Sequence, residues 1–229
     1  MLSRITHWFG NGWMGIAELL MTALCVFLSL SIHEFSHGLM AYKLGDNTAK
    51  SMGRLNLSPM SHLDPIGAIC LFLFGFGWAR PVPVNPLNFA PQKRKSGMVW
   101  TSLAGPLSNL ITAFLAVLIL NIIYHFVPSE EGIGATVFSV VVTLLYTLIF
   151  MNVGLAVFNF IPIPPLDGSK ILSAVLPPRT YFKLMQYERY GFIILLLAIN
   201  LPIFSRILNF ISDWIVGAFF WIVGLIPFL

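Results

Sequence analysis

The chain has 229 residues, of which 57% are hydrophobic and 10% charged, with a formal net charge of +4. A soluble domain carries about 25% charged residues, so this composition excludes one and indicates membrane helices, the apolar runs being continuous and not alternating with period two. The basic residues flank those runs, which makes the positive balance a topology signal and not a nucleic-acid footprint.

The pattern predicts an all-α polytopic bundle of about five to six membrane segments in one membrane-embedded domain, residues 1–229. Its core is expected over about 13–175 and its C-terminal helices over about 181–229. Cys25 and Cys70 lie in apolar segments and read as small buried hydrophobes, with no disulfide framework. The first apolar run is not a removable leader, because a chemically loaded motif continues it.

The first helix is predicted over about 13–44, with Gly45 as its stop. From Met14 to Ile32 its only charge is Glu18. Then comes Ser31-Ile32-His33-Glu34-Phe35-Ser36-His37-Gly38. Residues i and i+4 share a helix face, so both imidazoles can reach one metal ion, and Glu34 beside them can take a proton from water activated there. Met14 to His33 covers about 28 Å at 1.5 Å per residue, which puts the motif inside the bilayer toward the C-terminal end of the helix. Ionisable groups at that depth are functional by default. A structural hydrogen-bonded cluster is the bland alternative.

Residues 52–59 alternate apolar and polar between Gly and Pro, which suggests a short β-ribbon near the interface. Residues 66–78 are apolar but too short to span, with Gly75 and Gly77 breaking the end, and read as re-entrant. The prolines of 80–86 impose an extended path. Two spans follow, about 103–127 and 133–161, joined by an acidic link with Glu130 and Glu131. Prolines then break the chain before a further helix near Asp167, and the last third fits one or two more spans. Lys43, Lys50, Arg54, Arg80, Lys93, Arg94, Lys95, Lys170, Arg179, Lys183 and Arg189 lie in segments that the positive-inside rule puts in the cytoplasm, and the acidic link falls outside.

A hydrolytic zinc site has three protein ligands and an open position. Asp167 is the leading third ligand. Asp213 and the pair His62 with Asp64 remain open, and helix capping competes for Asp167. His62 and Asp64 more readily serve a turn. Asn109 and Asn159 read equally well as interhelical hydrogen-bonding groups.

Three strings occur in order: His33-Glu34-Phe35-Ser36-His37, Gly105-Pro106-Leu107-Ser108-Asn109, and Asn159-x-x-Pro162-x-x-x-Leu166-Asp167-Gly168. Together they resemble the site-2 protease family of intramembrane zinc metalloproteases, in its small prokaryotic branch without PDZ domains, over roughly residues 15–200. The resemblance implies one Zn2+ per chain held by His33, His37 and Asp167, with Glu34 as general base. It also implies that Asn159 and Asn109 bind the substrate strand or stabilise the oxyanion. Expected partners are the lipid bilayer and a membrane-spanning protein substrate, cut near the cytoplasmic face of the cell membrane, with homo-oligomerisation left open. The 52–58 ribbon would pair with the unwound substrate. The alternatives are a metal-binding homologue without peptidase activity, in a regulatory role, and a transporter lined by the same side chains. Glu34 argues against the first, and the lack of repeated halves against the second.

Overall fold

The computed structural model describes residues 12–74, 78–126 and 133–226. Ten α-helices occur among them: α1 Gly12–Lys43, α2 Thr48–Ser51, α3 Pro59–His62, α4 Pro65–Phe74, α5 Arg94–Phe126, α6 Ile133–Asn159, α7 Asp167–Ile171, α8 Pro178–Gln186, α9 Glu188–Ile199 and α10 Pro202–Gly224. Four of these, α1, α5, α6 and α10, are long and apolar enough to cross a membrane. Helices α4 and α9, with 10 and 12 residues, are too short to cross as straight helices. The expected five to six segments therefore reduce to four spanning helices and two shorter apolar ones.

Helix α1 ends as its sequence dictates. Gly45 takes φ +105°, a conformation disfavoured for side-chain-bearing residues, and the Asp46 N–H closes the turn on Ala41 O at 2.9 Å. The buried Asp46 carboxylate then accepts from Thr48 N–H, Thr48 Oγ1, Asn85 N–H and Asn88 Nδ2, clamping the end of α1 to the distant 85–88 turn.

The ribbon expected over 52–59 is not formed. Gly53 turns the chain at φ +65°, Asn56 Nδ2 donates to Gly53 O, and Asn56 Oδ1 accepts from Ser58 N–H. Alternation here comes from successive turns that satisfy their own backbone, so no ladder is needed. Among the described residues the sole β pairing is an antiparallel bridge between Leu63 and Ala79, beside a 2.8 Å bond from Arg80 N–H to His62 O. It ties together the two ends of the segment carrying α4. Gly75 and Gly77 lie outside the described residues. The chain then runs without helix or strand through the prolines to Asn85, which is extended at φ −111° and ψ 103°.

Helices α5 and α6 form an antiparallel pair, with Asn109 facing Asn152 and Tyr124 facing Phe138. Ala113, Ala116, Val117 and Leu120 of α5 pack against Leu145, Ile149, Val153 and Val157 of α6, and α10 adds Val216 and Val223. Lipid is as apolar as these side chains, so close packing over small residues and buried polar bonds holds the helices together.

Candidate metal centre

His33 and His37 are both buried on the inner face of α1. Their Nε2 atoms lie 3.0 Å apart, and their rings meet edge to face at 4.6 Å between centroids. Asp167 arrives from across the bundle. After α6, the chain breaks at Pro162, Pro164 and Pro165 and restarts as α7 with Asp167 in its first turn. Gly168 permits that fold-back, because a Cβ there would collide with the carbonyl oxygens of Phe160 and Ile161. Asp167 does not cap its helix. Its Oδ2 lies 3.1 Å from His33 Nε2 and 3.0 Å from His37 Nε2, and its Oδ1 is 3.4 Å from Lys170 Nζ.

The outer ring atoms determine what this cluster needs. His33 Nδ1 donates to Asn109 Oδ1 at 2.6 Å, and His37 Nδ1 donates to Thr101 O at 2.6 Å. Both acceptors are carbonyl oxygens, so each Nδ1 carries the hydrogen and each neutral ring points a bare Nε2 inward. With both rings neutral, two nitrogen lone pairs and a carboxylate oxygen converge at this point. A cation resolves that repulsion. Donors about 3 Å apart suit neighbouring ligands of an ion with metal–ligand distances of ~2.0–2.2 Å, as for zinc.

Helix α5 builds the back of the site. Pro106 cannot donate to Ser102 O, which leaves that turn one hydrogen bond short, and Thr101 O in the same turn accepts from His37. Gly105 lets the backbone abut both rings, since a Cβ there would lie 2.7 Å from His33 Cε1 and closer still to His37.

Glu34 is half-buried, and its Oε2 accepts from Val82 N–H at 2.8 Å. Arg54 Nη2 donates to Arg80 O and Pro81 O, steadying the segment that makes this contact.

Asn109, expected at a substrate or oxyanion position, is fully buried and committed on every side. Besides accepting from His33, it donates to Asn152 Oδ1 at 2.7 Å and to Ser29 O at 3.3 Å. It therefore orients His33. Asn159 is half-buried and donates to Leu155 O of its own helix. Asp213 is exposed on α10 and is not part of the cluster. Asp64 accepts from Gly67 N–H at the start of α4, the turn role expected of it. Sequence reasoning missed Asn152, whose Nδ2 donates to Ser29 Oγ at 2.8 Å and to Leu148 O. A lone amide inside an apolar helix was its only signal.

Two imidazoles and a distant carboxylate, closed around one point beside a glutamate within apolar helices, define the class: a metal-dependent hydrolase built into a membrane bundle. The chain belongs to peptidase family M50, the site-2 protease family, whose model matches residues 21–199. It is 41% identical over 184 residues to "Putative zinc metalloprotease YwhC" of Bacillus subtilis, covering 80% of this chain and 81% of that protein. It is 29% identical to "Putative zinc metalloprotease Rip2" of Mycolicibacterium smegmatis, covering 78% of this chain and 66% of that protein. "Zinc metalloprotease MJ0392" of Methanocaldococcus jannaschii is 28% identical over 151 residues, 66% of this chain and 33% of that protein. No solved structure matches. The protein is a zinc metalloprotease.

Proposed function

We propose that this protein is an intramembrane endopeptidase that cuts membrane-spanning proteins near the cytoplasmic face. The observation that carries the reading is the convergence of His33, His37 and Asp167 with both Nδ1 atoms already satisfied. His33, His37 and Asp167 hold the zinc. When bound, zinc supplies Lewis acidity and brings the pKa of water down to about 7.

The remaining steps belong to this chain's own residues. Glu34 takes the proton from the attacking water and returns it to the leaving amine. Val82 N–H occupies one Glu34 oxygen and orients the carboxylate, which leaves the other for proton transfer. Asn109, locked by Asn152 and Ser29, keeps His33 in the tautomer that presents Nε2. Asn159 contacts the substrate strand. The basic segments flanking the spans support a cytoplasmic-side position for the C-terminal end of α1, and for the site with it.

The test uses the full chain in lipid vesicles with a single-span test substrate and zinc quantified. Wild type and Glu34→Gln both retain about one zinc per chain, and the variant cleaves at least ~100-fold more slowly. Equal cleavage by the two would remove Glu34 from the mechanism. A zinc-loaded wild type that cuts no membrane substrate, whatever its sequence, would overturn the proposal.

A further inference from the structure

Helix α10 carries a carboxyl group at bilayer depth. Asp213 is the central residue of this 23-residue helix. Ring contacts fix its depth a second way. Phe219 meets Phe114 edge to face at 5.4 Å between centroids, and Phe220 lies 6.4 Å from Tyr146. Phe114 and Tyr146 stand at the centres of the apolar runs of α5 and α6, so Phe219 and Phe220 lie near the bilayer midplane. Counting back to Asp213 at 1.5 Å per residue gives about 10 Å, inside the ~15 Å half-thickness of the hydrocarbon. Both measures put the carboxyl group among lipid tails.

The carboxyl group also faces away from the bundle. Val216 and Val223 turn into the core with α5 and α6, whereas Asp213 is exposed. It lines an open groove together with Phe210, Trp214, Gly217, Ala218 and Trp221, all on α10. Their spacing of three and four residues makes one stripe, opposite the packed face. Phe210, Trp214 and Trp221 are mostly exposed, and a Cβ added at Gly217 would meet nothing within 4 Å. Among the described residues Asp213 makes no hydrogen bond or ion pair. Arg206, two turns back on the same side, stands about 20 Å from the midplane, at headgroup level. Intramembrane carboxyl groups almost always face a protein interior or a wet cavity and have a partner. Here that partner must come from outside the chain.

We propose that this face of α10 docks a membrane-spanning helix of another protein that carries a lysine or arginine inside its apolar stretch, the cation pairing with Asp213. Three observations favour that occupant. Charge is the first, since an exposed carboxylate in hydrocarbon is best met by a cation, and Trp214 beside it offers a ring face that also attracts one. Gly217, one turn from Asp213, lets a partner backbone come close, as small residues do at helix contacts in lipid. Lipid alone does not relieve the charge. The aspartate has a single methylene, too short to reach the headgroups about 5 Å away, unlike the long stems of lysine and arginine. A second copy of this chain fits less well. Copies inserted the same way are related by an axis along the membrane normal, so Asp213 would face its own counterpart at equal depth, and like charges repel. The inference stands apart from the peptidase reading.

The test measures energy transfer in phosphatidylcholine vesicles between the donor-labelled full chain and acceptor-labelled single-span peptides. The chain carries Glu34→Gln so that no probe is cut. The probes share a leucine-rich span that is unbroken, or holds one lysine at each of about six depths, or one glutamate at the same depths. A lysine probe with its cation about 10 Å from the midplane binds at least ~10-fold tighter than the unbroken probe, and no glutamate probe does. Asp213→Asn brings that lysine probe to within about twofold of the unbroken one, while zinc content and melting temperature stay as before. Asp213→Lys turns the preference to the glutamate probe, and Gly217→Leu weakens the lysine probe by hindering close approach. Equal binding of all probes overturns the proposal, as does a lysine preference that survives Asp213→Asn. Transfer between two labelled copies without any probe, lost in Asp213→Asn, would assign the face to self-association and overturn it too. Should the lysine variant fail to insert, the asparagine variant still decides. None of these outcomes bears on cleavage, so failure here and failure of the peptidase reading are separate results.

Discussion

Gly105→Ala is the smallest perturbation that reaches the metal centre from behind. The added methyl would lie 2.5 Å from His37 Cε1 and 2.7 Å from His33 Cε1, where ordinary contact begins at 3.4 Å. Each ring must retreat by about 0.7–0.9 Å or α5 must shift, whereas metal–ligand distances tolerate only about ±0.2 Å. Helix α5 has little freedom to move. Thr101 O and Asn109 Oδ1 hold the two histidines on either side of position 105, and Ala113, Ala116 and Val117 are packed against α6. The methyl is therefore accommodated by the rings. We expect zinc affinity to fall ~10–100-fold, with a loss of about 1–3 kcal/mol in folding stability from overpacking. Competition against a fluorescent zinc chelator in detergent micelles measures the first, and melting of the metal-free protein the second. Affinity within twofold of wild type would show that the close approach of α5 to the histidines is wrong.

Asn109→Leu removes the acceptor that fixes the His33 tautomer and should weaken zinc binding ~10–100-fold in the same competition assay, with Asn109→Asp retaining more affinity. Asn152→Leu takes one acceptor from the Asn109 amide and the donor that serves Ser29 Oγ, and should lower the melting temperature while zinc stoichiometry stays at about one. Asp46 carries a pH prediction. Burial alone would raise its pKa, but the bonds from Thr48, Asn85 and Asn88 outweigh burial and hold it below the usual carboxylate range. A depressed folded pKa means that the contribution to stability is complete above the unfolded value of about 3.9 and fades as pH falls below it. Melting midpoints of wild type should fall as pH drops from 5 to 3. Asp46→Ala should be about 2–4 kcal/mol less stable at pH 7, with a shallower acid limb.

The helices that build the scaffold were readable because bilayer depth demands long apolar runs, and α1, α5 and α6 begin and end within a few residues of expectation except where α5 extends back to Arg94. The histidine pair was readable for a local reason, since four residues along a helix is one turn. Asp167 stands 130 residues from His37, beyond a proline break, and no local periodicity connects them. Its place at a proline break after a returning span made it the leading candidate, and the third shared string strengthened that choice. The 52–59 ribbon misled because turns stitched by Gly53 and Asn56 produce the same period-two pattern as a strand. Asn109 kept its importance and changed its role. Sequence shows that an amide lies at that depth, whereas its direction depends on Asn152 and Ser29 from two other helices.

The central claim is that His33, His37 and Asp167 together grip a single zinc. Zinc K-edge X-ray absorption on the purified full chain measures this directly. The account predicts one zinc per chain in a shell of nitrogen and oxygen at about 2.0–2.2 Å, with scattering from two imidazoles and no sulfur, and loss of that shell in Asp167→Ala. A thiolate-containing shell, or a spectrum and stoichiometry unchanged by Asp167→Ala, would contradict it.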